Sequence, residues 1–380
     1  MKKNVFLLTW YYSINYGTCI QCYALAQYLR NNSFNVYIPS TNRYYYGIKH
    51  PIETIYNIAD KIEKNILTKE TKINNNYSEL FHNREKKNSE FAYNQTKVTK
   101  IESRKEYKDI ISKCDYFISG SDQIWNPRYV KPPMLLSMAP KNKTKIAYGS
   151  SIGVSQIPKN MIKMYKKYIN RFNYIGVREK TAQKLIKDIL NIDTEIVLDP
   201  SFLLNKNEWE KIAIKPKNIK EDEEFIFGYF IGDIRKNENE IYEFAQDNKL
   251  PVYYAMSESK INYSYGTTIV DMGIEEFIWC LLHAKYIITD SFHAVALSIN
   301  FNKNFYVYKR FNDMDKKSQN SRILDIINTF NLNENMESEK TNLNNIKNKI
   351  NFEKINQILD LMKRHSIGFL NKALGEKYDE

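Results

Sequence analysis

Two stretches of this chain bring together residue types that could do chemistry. The first is Gly120-Ser121-Asp122-Gln123-Ile124-Trp125-Asn126-Pro127, which follows the apolar run Tyr116-Phe117-Ile118-Ser119. The run reads as a buried strand, and in open α/β sheets ligands collect at the carboxyl ends of strands. Gly120 allows a sharp turn and Pro127 stops any helix. Between them lie a hydroxyl, a carboxylate, two amides and an indole, an inventory suited to a sugar. Read structurally, the same loop is an Asx-capped turn closing on a core tryptophan, and the segment alone supports both readings.

The second stretch is Ile287-Ile288-Thr289-Asp290-Ser291-Phe292-His293-Ala294, a strand that runs directly into a helix. His293 then sits in the first helical turn, where free N–H groups and the positive dipole end favour an anion. Asp290 and Ser291 are placed to cap that helix and orient the imidazole, and an imidazole beside a bound anion can exchange protons near neutral pH. Cations fall at neighbouring strand ends: Arg178 after Tyr174-Ile175-Gly176-Val177, Lys309 and Arg310 after Phe305–Tyr308, and Arg322 at the start of a helix. Together they would clamp a small dianion in a cleft, although each alone reads equally as a surface ion-pair partner.

Strands and helices alternate to position these residues. Strands are expected at Val5–Thr9, Asn35–Ile38, Tyr116–Ser119, Lys145–Tyr148, Tyr174–Val177 and Glu195–Leu198, with helices between and Thr18 as the first N-cap. A second series follows the charged break at 215–224: strands at Phe225–Ile231, Pro251–Ala255, Tyr286–Thr289 and Phe305–Tyr308, with intervening helices. This predicts an α/β protein with two Rossmann-like, doubly wound domains facing a cleft. The expected division is 1–214, including a helical insertion at about 51–108 with a mobile connection near Asn74-Asn75-Asn76, then 222–335, then a helical tail over 343–380 packing back on the first domain.

Composition narrows the classes. The chain has 380 residues, 43% of them hydrophobic and 26% charged, so a disordered chain is excluded and more than one core is expected. The net charge of +12 is spread over many helices with no nucleic-acid motif, which favours anionic small molecules or an anionic membrane surface and gives no nucleic-acid partner. No apolar run is long enough to span a bilayer and the apolar start at Val5–Thr9 is too short for a signal peptide, so the expected setting is cytoplasmic. The four cysteines form no evident framework. Cys19-Ile20-Gln21-Cys22 has redox spacing but no Gly-Pro centre, which points to packing, and no metal is expected.

The order of several short motifs resembles that of polysaccharide pyruvyl transferases. They are Asn15-Tyr16-Gly17 with Gln21 and Tyr23-Ala24-Leu25, the 120–127 loop, Ser150-Ser151-Ile152-Gly153, Val177-Arg178-Glu179-Lys180, Leu198-Asp199-Pro200, Asp271-Met272-Gly273 and Asp290-Ser291-Phe292-His293. Ala294 stands where the family more often has Gly, and a methyl there would narrow a ligand's approach. Thr181-Ala182-Gln183 replaces a commoner Ser-Gly pattern. The resemblance implies a GT-B-like pair of domains and transfer of the pyruvyl group of phosphoenolpyruvate, as co-substrate and without other cofactor, to two hydroxyls of one sugar, releasing phosphate. It puts the essential histidine on His293 and the donor-binding arginine on Arg178. Ser291, Phe292 and either Lys309 or Arg310 complete the expected donor site, and Asn15, Tyr16, Asp122, Gln123, Trp125 and Asn126 are the expected acceptor contacts. The acceptor would be a lipid-linked sugar visited at the inner membrane leaflet or a soluble nucleotide-sugar. Two alternatives remain on the sequence: a GT-B glycosyltransferase using a nucleotide-sugar donor, and a non-catalytic glycan-binding accessory protein.

Overall fold

The computed structural model describes residues 2–12, 15–40, 75–257, 263–310, 321–348 and 350–376. In the first lobe the strands are β1 (Asn4–Leu8), β2 (Asn35–Tyr37), β3 (Tyr116–Ser119), β4 (Thr144–Ser150), β5 (Tyr174–Val177) and β6 (Glu195–Ile196). They form one sheet in the order β2-β1-β3-β4-β5-β6, every pairing parallel. The second lobe has β7 (Ile226–Tyr229), β8 (Val252–Ala255), β9 (Thr267–Ile269), β10 (Tyr286–Thr289) and β11 (Phe305–Val307), again all parallel, in the order β11-β10-β7-β8-β9. The strand at Thr267–Ile269 has no counterpart in the sequence reading: it is a three-residue edge strand starting on an exposed threonine, too short to show a period.

These orders decide where a ligand can go. In the first sheet the chain moves from β1 outward to β2, then returns to place β3 on the other side of β1. In the second it runs β7-β8-β9 one way and places β10 on the opposite side of β7. Each reversal leaves a crevice at the strands' carboxyl ends, where the connections diverge. The loops after β1 and β3 therefore face the loops after β7 and β10.

Helix α1 (Tyr16–Asn31) joins the lobes. Asn15, not Thr18, is its N-cap, the Asn15 side chain accepting from the Gly17 N–H at 3.0 Å. One face carries Cys22, Leu25, Ala26 and Leu29 into the first lobe, and another carries Tyr16, Cys19, Ile20 and Tyr23 into the core of the second. Both cysteines of the Cys19–Cys22 pair are buried free thiols, and burial pushes the Cys22 thiol far up. Tyr16 stacks on Phe277 at 4.2 Å and donates to the Met272 carbonyl at 3.0 Å.

The first part of the expected insertion, 51–74 with Asn74 among them, lies outside the described residues, while Asn75 and Asn76 open helix α2 (Asn75–Glu90). Helix α2 grips the second lobe. Arg84 is buried, lies 4.5 Å over the Tyr16 ring and donates to the Met256 carbonyl at 2.6 Å. Lys87 reaches the Asp271 and Glu276 carboxylates at 3.2 and 2.9 Å. Helix α3 (Arg104–Lys113) leads into β3, α4 (Lys159–Ile169) and α5 (Lys180–Leu190) flank β5, and α6 (Lys206–Glu210) follows β6. The second lobe adds α7 (Glu238–Asn248), α8 (Ile274–His283), α9 (Phe292–Asn300) and α10 (Ser321–Thr329). The tail becomes a short 3-10 turn (Leu343–Lys347) and then α11 (Phe352–Leu374). Phe369, Leu370, Ala373 and Leu374 of α11 pack against Val5, Leu7, Ile118 and Ile146, and Ser366 Oγ accepts from the Leu198 N–H at 2.9 Å.

Candidate active site

A cleft of about 810 Å3 lies between the lobes. Its first-lobe wall is Trp10, Tyr12, Asn15, Thr18, Asp122, Gln123 and Tyr129; Ile231, Gly232, Asp233, Ser291, Phe292 and His293 face them, with Arg310 and Arg322. The wall is built from the loops at both strand-order reversals.

His293 stands in the first turn of α9, 5% exposed, with its ring against α1. A Cβ on Gly17 would lie 2.1 Å from His293 Nδ1, so only glycine permits this approach. The Asn15-Tyr16-Gly17 motif thus cradles the imidazole from the opposite lobe. His293 Nε2 is 3.6 Å from Asp199 Oδ2, within ion-pair range but longer than a hydrogen bond. Ser291 occupies the N-cap position of α9 yet makes no capping bond, and its buried Oγ has no hydrogen-bond partner among the described residues. Asp290 does not cap the helix either. It accepts from the N–H groups of Ile231 and Gly232, both at 2.7 Å, and from Arg310 Nε at 3.1 Å, tying together the loops after β7, β10 and β11. The start of α9 is therefore left with an unpartnered hydroxyl on a cleft wall, where an anion would be received.

Arg178 differs from the sequence reading. Its side chain is 1% exposed and does not line the cleft. Nη1 donates to Asp199 at 2.6 Å, Nη2 to Asp122 at 2.8 Å, and the guanidinium lies 4.5 Å under the Phe292 ring. Its fork is engaged by carboxylates from the ends of β3 and β6. For Asp199, burial pushes the carboxyl up, but the charges of His293 and Arg178 and the Ser201 N–H outweigh it and hold it far below the usual carboxylate range. Asp122 is also held low, burial being outweighed by Arg178, His293 and Arg322. Arg322 Nη1 lies 3.9 Å from Asp122 Oδ1, and burial together with the like charge of Arg178 pushes Arg322 down to about 10. It remains a cation at neutral pH, and a dianion entering the cleft would offset that repulsion.

Among the expected acceptor contacts, Asn15, Asp122 and Gln123 line the cleft. Trp125 does not: the indole is fully buried, packs edge-on against Phe172 at 5.3 Å and donates to Ser119 Oγ and the Met134 carbonyl, each at 3.2 Å. The cause is local. Gly120 (φ +125°) and Asp122 (φ +62°) turn the chain back so that the 3-10 turn Gln123–Trp125 faces the sheet. Asn126 is also buried, donating to Gln123 Oε1 at 2.6 Å and accepting from the Arg128 N–H at 2.9 Å. Tyr16 is in the seam between the lobes, not at the cleft. Lys309 is not on the wall whereas Arg310 is; the Lys309 N–H donates to Glu337 at 2.7 Å. Ala294 is buried in the core, so its methyl does not narrow the cleft.

The sequence reading gave no site role to Asp199 or Gln21, although both stood in motifs it singled out. Gln21 is fully buried; Nε2 donates to Thr9 Oγ1 and to the Trp10 and Thr18 carbonyls at 2.8–2.9 Å, and Oε1 accepts from the Ser121 N–H at 3.1 Å. One amide thereby fixes the loops after β1 and β3. Gln21→Leu, similar in size but without these bonds, is expected to lower stability by about 1–3 kcal/mol through orphaned buried groups. Chemical denaturation measures this, and an unchanged midpoint would show that the amide is not holding the loops.

The two-lobed GT-B-like arrangement recurs in solved structures. A UDP-N-acetylglucosamine 2-epimerase superposes with a TM-score of 0.53 at 9% identity, covering 100% of this chain and 98% of the other. The S. aureus MnaA–UDP co-structure gives 0.50 at 11% identity, covering 100% of both chains. At such identity the likeness is one of fold. No curated protein matches the chain. The family model for polysaccharide pyruvyl transferase matches residues 15–310, which takes in both walls of the cleft except Trp10, Tyr12 and Arg322. The chain belongs to the polysaccharide pyruvyl transferase family and is a transferase.

Proposed function

We propose that the protein transfers the pyruvyl group of phosphoenolpyruvate to two hydroxyls of one sugar in a cell-surface polysaccharide precursor. The observation that carries this reading is a buried imidazole at a helix N-terminus, beside an unpartnered serine hydroxyl and cleft-lining arginines. The reaction needs a proton donor and a phosphate clamp. In this reading Ser291, the start of α9, Arg310 and Arg322 receive the phosphate, and His293 gives a proton to the methylene carbon, which becomes a methyl group. The adjacent carbon takes on oxocarbenium character and is attacked by the first sugar hydroxyl, whose proton returns to His293. The carbon–oxygen bond to phosphate then breaks, the second hydroxyl adds at the same carbon, and its proton leaves with the phosphate. Asp199, 3.6 Å from Nε2, holds the imidazole in place from behind. Arg178 acts through Asp122 and Asp199 instead of touching the donor. No helix among the described residues is long and apolar enough to cross a membrane, and the +12 charge suits a protein visiting a lipid-linked acceptor at the inner leaflet.

Thermal denaturation with phosphoenolpyruvate and, separately, with UDP tests the donor. Phosphoenolpyruvate is expected to raise the melting temperature, with about 2.7 kcal/mol of stabilisation at a hundredfold excess over Kd. A rise with UDP and none with phosphoenolpyruvate would replace this reading with a nucleotide-sugar transferase.

A further inference from the structure

The buried Trp125 leaves the acceptor without the aromatic face its loop first suggested, but three other aromatic residues line the first-lobe wall of the cleft. Trp10 and Tyr12 follow β1, and Tyr129 follows the 120–127 loop. Tyr12 and Tyr129 are 45% and 43% exposed, two of the seven large apolar side chains left exposed among the described residues. The backbones of Trp10 and Tyr129 are anchored. The Trp10 carbonyl is held by Gln21 at 2.8 Å, and the Tyr129 N–H donates to the Asn126 carbonyl at 2.9 Å. Asn126 thus serves this rim from within the protein. Among the described residues that line the first-lobe wall the only charged one is Asp122, already bound to Arg178 at 2.8 Å and Thr18 at 3.3 Å, while Arg128 lies 5.5 Å from the Tyr129 ring centroid without itself lining the cleft. The wall's cations, Arg310 and Arg322, are at the end assigned to the donor.

We infer that Trp10, Tyr12 and Tyr129 form the acceptor subsite and that it takes an uncharged pyranose by its C–H face. Aromatic faces pack against the apolar C–H surface of a pyranose, while Asn15, Thr18 and Gln123 are placed to meet its hydroxyls. Among the described residues lining this wall, an anionic sugar would find a carboxylate and no cation. The inference rests on the cleft being a sugar-transfer site.

Saturation-transfer NMR on the full chain tests it, using the methyl pyranosides of galactose, glucose and mannose and methyl glucuronide as probes. At least one neutral glycoside is expected to be saturated, mainly on one ring face, with the signal lost in the Tyr12→Ala/Tyr129→Ala double variant. Both positions are half exposed, and the variant's melting curve and its response to phosphoenolpyruvate should match the wild type. Undiminished saturation in the variant, saturation of the glucuronide equal to or above that of the neutral sugars, or no saturation of any glycoside would overturn the subsite. Loss of the neutral-sugar signal in a protein that does not respond to phosphoenolpyruvate would leave the subsite standing and remove the donor assignment.

Discussion

Gly17→Ala is expected to abolish transfer almost as completely as His293→Ala, although residue 17 touches no substrate. A methyl at position 17 would sit 2.1 Å from His293 Nδ1, so the imidazole must move. Removing a general acid–base commonly costs a factor of about 10²–10⁴ in rate, and kcat for both single variants should fall into that range. The double variant should be no slower than His293→Ala, because both changes remove the same group. Binding of phosphoenolpyruvate, followed by thermal shift, should persist in His293→Ala, since Ser291, Arg310 and Arg322 remain. Steady-state rates of phosphate release with acceptor present measure the series. A fully active Gly17→Ala would mean that the observed approach of α1 to the imidazole is not the working one.

The largest effect on stability is expected at Arg178. Its replacement by Ala would leave Asp122 and Asp199 buried beside each other without the guanidinium that both now share. Breaking a buried pair from one side costs about 3–5 kcal/mol, because the remaining charge stays unsolvated. Arg178→Lys should recover part of this, as a single ammonium cannot reproduce both fork contacts. The same network sets the acid limb of stability. Both carboxyls lie below their ordinary value when folded, so the unfolded chain binds more protons as acid is added. Their contribution is fully present above about pH 4, the ordinary carboxylate value, and is lost as pH falls through the folded values. Denaturation midpoints from neutral pH down to about pH 3 should therefore fall steeply for the wild type and less steeply for Asp199→Asn. Equal slopes would show that Asp199 does not carry this dependence.

Much of the scaffold could be read from the sequence because its elements are locally written. The strands Tyr116–Ser119 and Tyr286–Thr289 lie where the apolar runs and their polar ends place them. What local pattern could not supply is strand order. The reversals beside β1 and β7 depend on long-range pairing, and they decide which loops meet. Side-chain direction was equally hidden at Trp125, where two positive-φ residues turn an indole inward that the loop's composition offered outward. At Arg178, composition showed a cation at a strand end but not that the loops after β3 and β6 of the same parallel sheet bring Asp122 and Asp199 to engage it. A usable signal was present: three of the singled-out motifs, Ser121-Asp122, Arg178-Glu179 and Leu198-Asp199, put acids at strand ends around one arginine. Tyr16 and Gly17 look alike in such a motif, yet one locks the seam between the lobes and the other makes room for His293.

The most direct test of the central claim is a crystal structure of the protein with phosphoenolpyruvate. The account predicts the phosphate between Ser291, the start of α9 and the guanidinium groups of Arg310 and Arg322, with the methylene carbon about 3–3.5 Å from the His293 imidazole. Phosphoenolpyruvate bound elsewhere, or a methylene carbon turned away from an imidazole that still rests on Gly17, would contradict it.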